Sequence, residues 1–365
     1  MKRALKLAEK ARGATSPNPM VGAVIVKNGK IIAEDYHKRA GELHAEALAI
    51  QQAGKGANGS TLYVTLEPCC HLDKRTPPCT KAIIDSGIKK VFVAMTDPNP
   101  KVAGKGVREL RNAGVEVVEG VLEEKAGELN EAYIKYIKTG LPFVTLKVAM
   151  TLDGKIATPE GQSKWITGEA ARKIVHKMRS ANDAVLTAIG TVKADNPRFT
   201  SRIKCGIDPK RVVIDPDLET PLDYNVCSVP PDTILVTKAE KSVEKRLNLK
   251  LIAEKGVKLI EYKGKRADLG WLMKQLGQMG VTSVMIEGGS SLNSYALQDG
   301  VVDKVVFFVA PKIIGGKESI PAIGGKIFKR LEDSFRLQDL KVSKVGDDLM
   351  VIGYITKNHS KGTNR

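Results

Sequence analysis

Three short segments carry donors for a soft metal: His44-Ala45-Glu46, Pro68-Cys69 and Pro77-Pro78-Cys79. One imidazole and two thiolates are good zinc ligands, and three protein ligands leave the fourth position open for water. Zinc lowers the pKa of such a water towards neutrality, which makes hydroxide available as a nucleophile. Glu46 stands two residues past the histidine and need not touch the metal. Residues two apart do not stack on one helix face, so both belong in a helix's first turn, facing the site. There Glu46 can take the water's proton and pass it to a leaving amine. A lone His-x-Glu says little; Thr65-Leu66-Glu67-Pro68-Cys69 at a strand end and a further Cys make the pattern specific. Cys70 and His71 are rival donors, and Cys69 is preferred because it directly follows the proline. Cys205 and Cys227 stand alone and read as packing residues.

A second set of residues suits a nucleotide. Strand Ser283–Ile286 runs into Glu287-Gly288-Gly289-Ser290-Ser291-Leu292. Glycines between a strand and a helix let backbone N–H groups approach a phosphate at the helix N-terminus. By contrast, Gly54, Gly56 and Gly59 spell Gly-x-Gly-x-x-Gly after a helix and before a strand. That reverses the dinucleotide-binding context, so they read as a helix stop and loop.

The elements that must position these residues follow an α/β pattern from end to end. Strands are expected at 21–26, 61–66, 91–95 and 115–118, with Asn28-Gly29 a hairpin turn and helices at 45–53, near 107–112 and at 123–138. Thr139-Gly140-Leu141-Pro142 is a helix stop and turn. It sets the domain boundary: 1–141, then 142–355, with 356–365 a disordered basic tail. The second part opens with strand 143–149 and continues with helix 169–180. Its further strands fall at 184–189, 211–214, 233–236, 257–260, 283–286 and 304–310, with a last edge strand at 347–355. There is no internal repeat and no low-complexity segment.

Composition excludes other classes. The 365 residues are 42% hydrophobic and 27% charged, ordinary globular usage, and the length favours two domains. The formal charge of +17 invites a nucleic-acid reading. Residues 1–141 hold 22 basic and 16 acidic side chains, so +6 falls there and +11 on the remainder. Neither half carries the excess, and 42 of the 58 basic residues are Lys, mostly a solvated residue where Arg is the better phosphate fork. No apolar run approaches a membrane span, and the N-terminus lacks a signal peptide's apolar core. Five Cys, three of them within 69–79, suit a reducing compartment rather than a disulfide framework. The expectation is a cytoplasmic protein with no membrane and no nucleic-acid partner.

A ligand, a spacer, a Glu, then Pro-Cys and a second Cys is the zinc-deaminase pattern. Nucleoside and nucleic-acid deaminases usually place two residues between the thiolates; here there are nine, Cys70 to Pro78. The stretch Glu67 to Cys79 resembles the bifunctional riboflavin-biosynthesis deaminase/reductase family. So do Ser16-Pro17-Asn18-Pro19-Met20-Val21-Gly22, His37, Gly41, Asp97-Pro98-Asn99-Pro100 and Val102-Ala103-Gly104-Lys105-Gly106. In the second half, 147–157, 163–167, 190–197 and Pro311-Lys312-Ile313-Ile314-Gly315-Gly316 resemble its reductase. The loop is one residue longer than the family's, Cys70 replaces a usual Ser, and Phe199 replaces a smaller aliphatic residue.

The resemblance implies a cytidine-deaminase-like α/β/α domain followed by a dihydrofolate-reductase-like α/β domain, one Zn2+ per chain, NADPH, and a homo-oligomer. It assigns His44, Cys69 and Cys79 to the metal, and Asn18, His37, Lys74 (or Arg75), Asp97 and Asn99 to a phosphorylated pyrimidine. Ala149, Trp165, Thr191, Asp195, Gly289, Ser290, Ser291, Leu292, Asn293, Ser294 and Tyr295 would line the cofactor site. Lys147, Ser163, Arg179, Phe199, Arg202 and Glu287 would hold the sugar phosphate. The implied reactions are zinc-dependent deamination of the pyrimidine, then NADPH-dependent reduction of its ribosyl group to ribityl. A nucleic-acid base deaminase with an accessory nucleotide-binding domain is the alternative; the long inter-cysteine loop and the reductase motifs weigh against it. A non-catalytic nucleotide-binding protein with a structural zinc is a third reading, against which Glu46 weighs.

Overall fold

A computed structural model of the chain describes residues 1–70, 77–239, 252, 254, 256–325, 327 and 329–356. It divides into two compact units, Met1–Leu141 and Pro142–Arg365.

The first unit is a five-stranded mixed sheet. Strands β1 (Gly22–Lys27), β2 (Lys30–Tyr36), β3 (Thr61–Val64), β4 (Lys90–Val93) and β5 (Glu116–Val118) lie in the order β2-β1-β3-β4-β5. β1 is antiparallel to β2 and β3, and β3, β4 and β5 run parallel. Asn28 (φ 51°) and Gly29 (φ 73°) make the β1–β2 turn, the left-handed pair that fits strand twist. Alternation sorts the faces. Ala23, Ile25, Leu62, Val64, Val91 and Val93 share a core with Ala45, Ala49 and Ile83, whereas Val24 and Tyr63 pack with Ala4 and Leu7. Helices α2 (Ala45–Ala53), α3 (Cys79–Asp85) and α4 (Lys105–Asn112) therefore supply one layer and α1 (Lys2–Ala8) the opposite one. At Gly22 a Cβ would meet the Ala4 carbonyl oxygen at 2.1 Å, so this seam requires glycine.

The single helix expected over 123–138 is two: α5 (Glu123–Leu129) and α6 (Glu131–Thr139). Asn130 between them leaves helical geometry (φ −108°, ψ 22°). Its side chain exchanges two hydrogen bonds with the Met20 backbone, a tertiary demand that periodicity does not carry.

The second unit is a nine-stranded sheet. Its strands are β6 (Phe143–Thr151), β8 (Ala184–Ala188), β9 (Lys210–Ile214), β10 (Thr233–Lys238), β11 (Lys258–Tyr262), β12 (Ser283–Ile286), β13 (Lys304–Ala310), β15 (Leu337–Val345) and β16 (Asp348–Ile355). The order is β11-β10-β9-β8-β12-β6-β13-β16-β15. The short β7 (Lys155–Ala157) and β14 (Ile320–Pro321) form a separate pair. From β11 to β13 every pairing is parallel, and β16 and β15 join antiparallel. The central strands are buried on both faces, as parallel strands must be. The strand at 348–355 is not the edge. β15 lies outside it, its residues almost all exposed, so no hydrophobic alternation advertised it. The tail beyond 356 lies outside the described residues.

Candidate functional sites

The metal donors come from three elements. His44 caps α2 (φ −73°, ψ 159°), Glu46 falls in that helix's first turn, Cys69 lies in the loop after β3, and Cys79 opens α3. A helix start favours a thiolate, and the Thr80 amide donates to the Cys69 carbonyl at 3.2 Å. The ligand atoms of His44, Cys69 and Cys79 lie within 4.8 Å of one another. His44 Nδ1 stands 3.4 Å from Cys69 Sγ and 3.3 Å from Cys79 Sγ. Tetrahedral zinc with ordinary Zn–N and Zn–S bonds separates such donors by about 3.6 Å, so the trio fits the ion. Cys70 is half-buried outside the trio; His71, Lys74 and Arg75 lie outside the described residues.

Glu46 is 3% exposed, and its Oε2 has no hydrogen-bond partner among the described residues. Burial pushes its carboxyl above the usual carboxylate range. It lines a cavity of about 710 Å³ with His44, Cys69, Asn18, His37, Asp97 and Asn99. His37 Nδ1 lies 3.2 Å from the Leu43 carbonyl and Nε2 lies 3.2 Å from Asn18 Nδ2. Donation from Nδ1 and acceptance at Nε2 describe a neutral ring, and burial lowers its pKa. Asp97 is 6% exposed and raised chiefly by burial, while the Asn99 amide and the Tyr133 hydroxyl donate to its Oδ1 at 2.9 and 2.8 Å.

Two groups escaped the sequence reading as working residues. Glu67 accepts from the backbone amides of Asp97 (3.2 Å), Gly104 (2.9 Å) and Val107 (3.1 Å), fixing the turn that carries Asp97 and Asn99. A Cβ on Gly106 would sit 2.1 Å from the Pro68 carbonyl oxygen, so that contact also demands glycine. Tyr133, with Tyr136 and Ile137, walls the cavity from α6.

The second unit gathers charge where strands β6 and β12 adjoin. Ile286 pairs with Leu146, so Glu287 and Lys147 are neighbours, and Lys147 Nζ lies 2.9 Å from Glu287 Oε2. Arg179, from helix α7 (Glu169–Ala181), grips the same carboxylate at 2.6 and 3.0 Å. Burial alone would push Glu287 up; the two cations hold it far below the usual carboxylate range. Phe199 is buried beneath Arg179, 5.6 Å from ring centre to guanidinium. Burial lowers the His176 pKa first, and Arg179 and Arg202 lower it further, so these three cluster. Ser163 is half-buried at the start of the segment leading to Trp165.

Thr191 and Gly289 face each other across β8 and β12, a Cβ on the glycine standing 3.8 Å from Thr191 Oγ1. Gly289 caps the helix Ser290–Gln298, and buried Ser290 Oγ has no partner among the described residues. An open helix start with an orphan hydroxyl fits a phosphate. Ser291 is exposed, Ser294 is buried, and Leu292 and Asn293 turn inward, Asn293 donating to the Ala322 carbonyl at 2.9 Å. Tyr295 stacks with Arg266 (4.9 Å), and Ala149 is half-buried on β6. Trp165 is 62% exposed yet held: Lys312 donates to its carbonyl at 2.6 Å, Arg172 lies 4.5 Å from its ring, and neighbouring Lys164 pairs with Asp195 at 2.8 Å.

Residues 1–95 match the cytidine and deoxycytidylate deaminase zinc-binding region, and residues 142–351 match the RibD C-terminal domain. The chain is 48% identical over 353 residues to the riboflavin biosynthesis protein RibD of Aquifex aeolicus, covering 96% of each. It is 38% identical to the Escherichia coli K12 protein of that name, covering 96% of each. Among solved structures it is similar to Acinetobacter baumannii RibD (TM-score 0.86, 38% identity, 98% of each chain). It is equally similar to a Thermotoga maritima diaminohydroxyphosphoribosylaminopyrimidine deaminase/5-amino-6-(5-phosphoribosylamino)uracil reductase (TM-score 0.85, 38% identity, covering 98% of this chain and 97% of that one).

Proposed function

The chain belongs to the RibD family of riboflavin-biosynthesis enzymes, which joins a zinc-binding deaminase domain to a reductase domain, and from that premise we propose a substrate and working residues for each half. The first unit takes 2,5-diamino-6-(5-phosphoribosylamino)pyrimidin-4-one and replaces an exocyclic amine by oxygen, consuming water and releasing ammonia. The second reduces the ribosyl group of the product to ribityl with NADPH. The observation that carries the reading is the cavity in which a donor trio adjoins a buried carboxylate with one oxygen lacking a partner among the described residues.

His44, Cys69 and Cys79 hold one zinc ion, which supplies an acidified water when bound. Glu46 does the proton work: it lines the cavity with one oxygen lacking a partner among the described residues, and a carboxyl raised by burial both accepts a proton and returns it to the departing amine. Neutral His37 and Asn18 contact the pyrimidine, and Asp97 and Asn99 the pyrimidine and ribose. Lys74 or Arg75 meets the phosphate.

In the reductase, NADPH when bound would supply a hydride to the ribosyl C1, as the bond from C1 to the ring oxygen opens and that oxygen takes a proton from solvent. The Gly289–Tyr295 segment, Thr191 and Ala149 seat it, and Trp165 and Asp195 close over it. Lys147, Arg179 and Glu287 leave one net positive charge, which with Arg202, Ser163 and Phe199 holds the sugar phosphate. Glu287, kept ionised by its two partners, orients rather than donates protons. Five cysteines, none of them in a disulfide, suit a reducing cytoplasm. No helix among the described residues is long and apolar enough to cross a membrane.

Purified protein should carry one zinc per chain, release ammonia from the phosphorylated diaminopyrimidinone, and then consume NADPH. Preference for single-stranded nucleic acid over that pyrimidine would overturn the reading.

A further inference from the structure

The deaminase pocket is braced from a helix that contributes no residue to the chemistry. Asn130 accepts from the Met20 amide at 2.8 Å and donates to the Met20 carbonyl at 3.0 Å, pinning the segment that carries Asn18. Three residues on, and so on the same side of the chain as it enters α6, Tyr133 reaches the opposite wall. Its hydroxyl donates to Asp97 Oδ1 at 2.8 Å and is hydrogen-bonded to the Asn99 side chain. The ring is 9% exposed and packs in the unit's core.

The main chain of the 97–107 turn does not depend on this contact, because Glu67 already holds three of its amides. What the tyrosine adds is direction. A carboxylate and an amide that would otherwise rotate into the cavity's water are tied to one hydroxyl. Preset polar side chains spare the ligand the cost of ordering them.

We propose that Tyr133 is a positioning residue for deamination, its hydroxyl aiming Asp97 and Asn99 at the pyrimidine and ribose. This rests on the reading that Asp97 and Asn99 contact the phosphorylated pyrimidine. The test uses the full-length, zinc-loaded protein and three variants: Tyr133→Phe, Asp97→Asn and the double. Losing one such hydrogen bond should raise KM for ammonia release about tenfold in Tyr133→Phe, with kcat changed less than about twofold. Zinc content, melting temperature and NADPH oxidation on pre-deaminated substrate should stay as in the parent. The double variant should be no worse than Asp97→Asn, since the hydroxyl acts through that carboxylate. An unchanged KM in Tyr133→Phe beside a raised one in Asp97→Asn would overturn the proposal. So would additive effects, or a loss explained by zinc release or a lower melting temperature. An unchanged KM in Asp97→Asn would instead overturn the substrate reading beneath it.

Discussion

Glu46 and Glu287 are both buried carboxylates at the heart of a site, and their surroundings send them opposite ways. Glu46 sits beside a histidine and two thiols with one oxygen lacking a partner, and burial raises it. Glu287 is gripped by Lys147 and Arg179 and lies far below the usual range. The first is kept free to gain and lose a proton. The second is kept charged so that two cations stay in place. Burial sets the stakes in each case, and the partner decides the role.

The largest effect should come from removing the mobile proton. Glu46→Gln should lower ammonia release roughly a thousandfold while leaving NADPH oxidation on pre-deaminated substrate intact; loss of both would erase the division between the sites. The same variant sharpens the contrast in stability. A raised carboxyl stabilises the fold while protonated and loses that contribution as pH rises through its folded pKa. Metal-free Glu46→Gln should therefore melt higher than the metal-free parent at pH 7 by calorimetry.

Glu287→Ala should do the reverse, stranding two buried cations at a cost of about 3–5 kcal/mol, read as a lower melting transition and a dead reductase. The depressed pKa of Glu287 fixes the pH sign as well. Its contribution is full above the unfolded value of about 4.3 and drains as pH falls below it. Acid melting of Glu287→Gln should accordingly be flatter than the parent's in that window. The smallest effect belongs to exposed Arg202: Arg202→Ala should raise the reductase KM about tenfold and leave ammonia release unchanged. Damage confined to deamination would reverse the assignment of the two halves.

How much was legible differs between the halves for the same physical reason. The metal trio announces itself because zinc accepts few ligand types, and His44 stands at the start of the expected helix 45–53, whereas the helix that Cys79 opens was not expected from the sequence. Helix 45–53 and strands 283–286 and 304–310 match the observed elements residue for residue. Strand β15 did not show, because an edge with nearly every residue exposed has no buried face to alternate. The break at Asn130 did not show because its cause, the Met20 backbone, lies 110 residues away.

The amino-acid sequence by itself determined the chemistry: donor types, the acid beside them, a glycine-lined helix start and an alternating α/β order, all local properties of short segments. Only the tertiary structure decided which carboxylates carry protons and which carry charge. It alone joined Glu287 to Lys147 across neighbouring strands, Glu67 to the 97–107 turn, and Tyr133 to Asp97. Protonation depends on distance and burial, and a buried group's neighbours come from segments that chain order does not bring together.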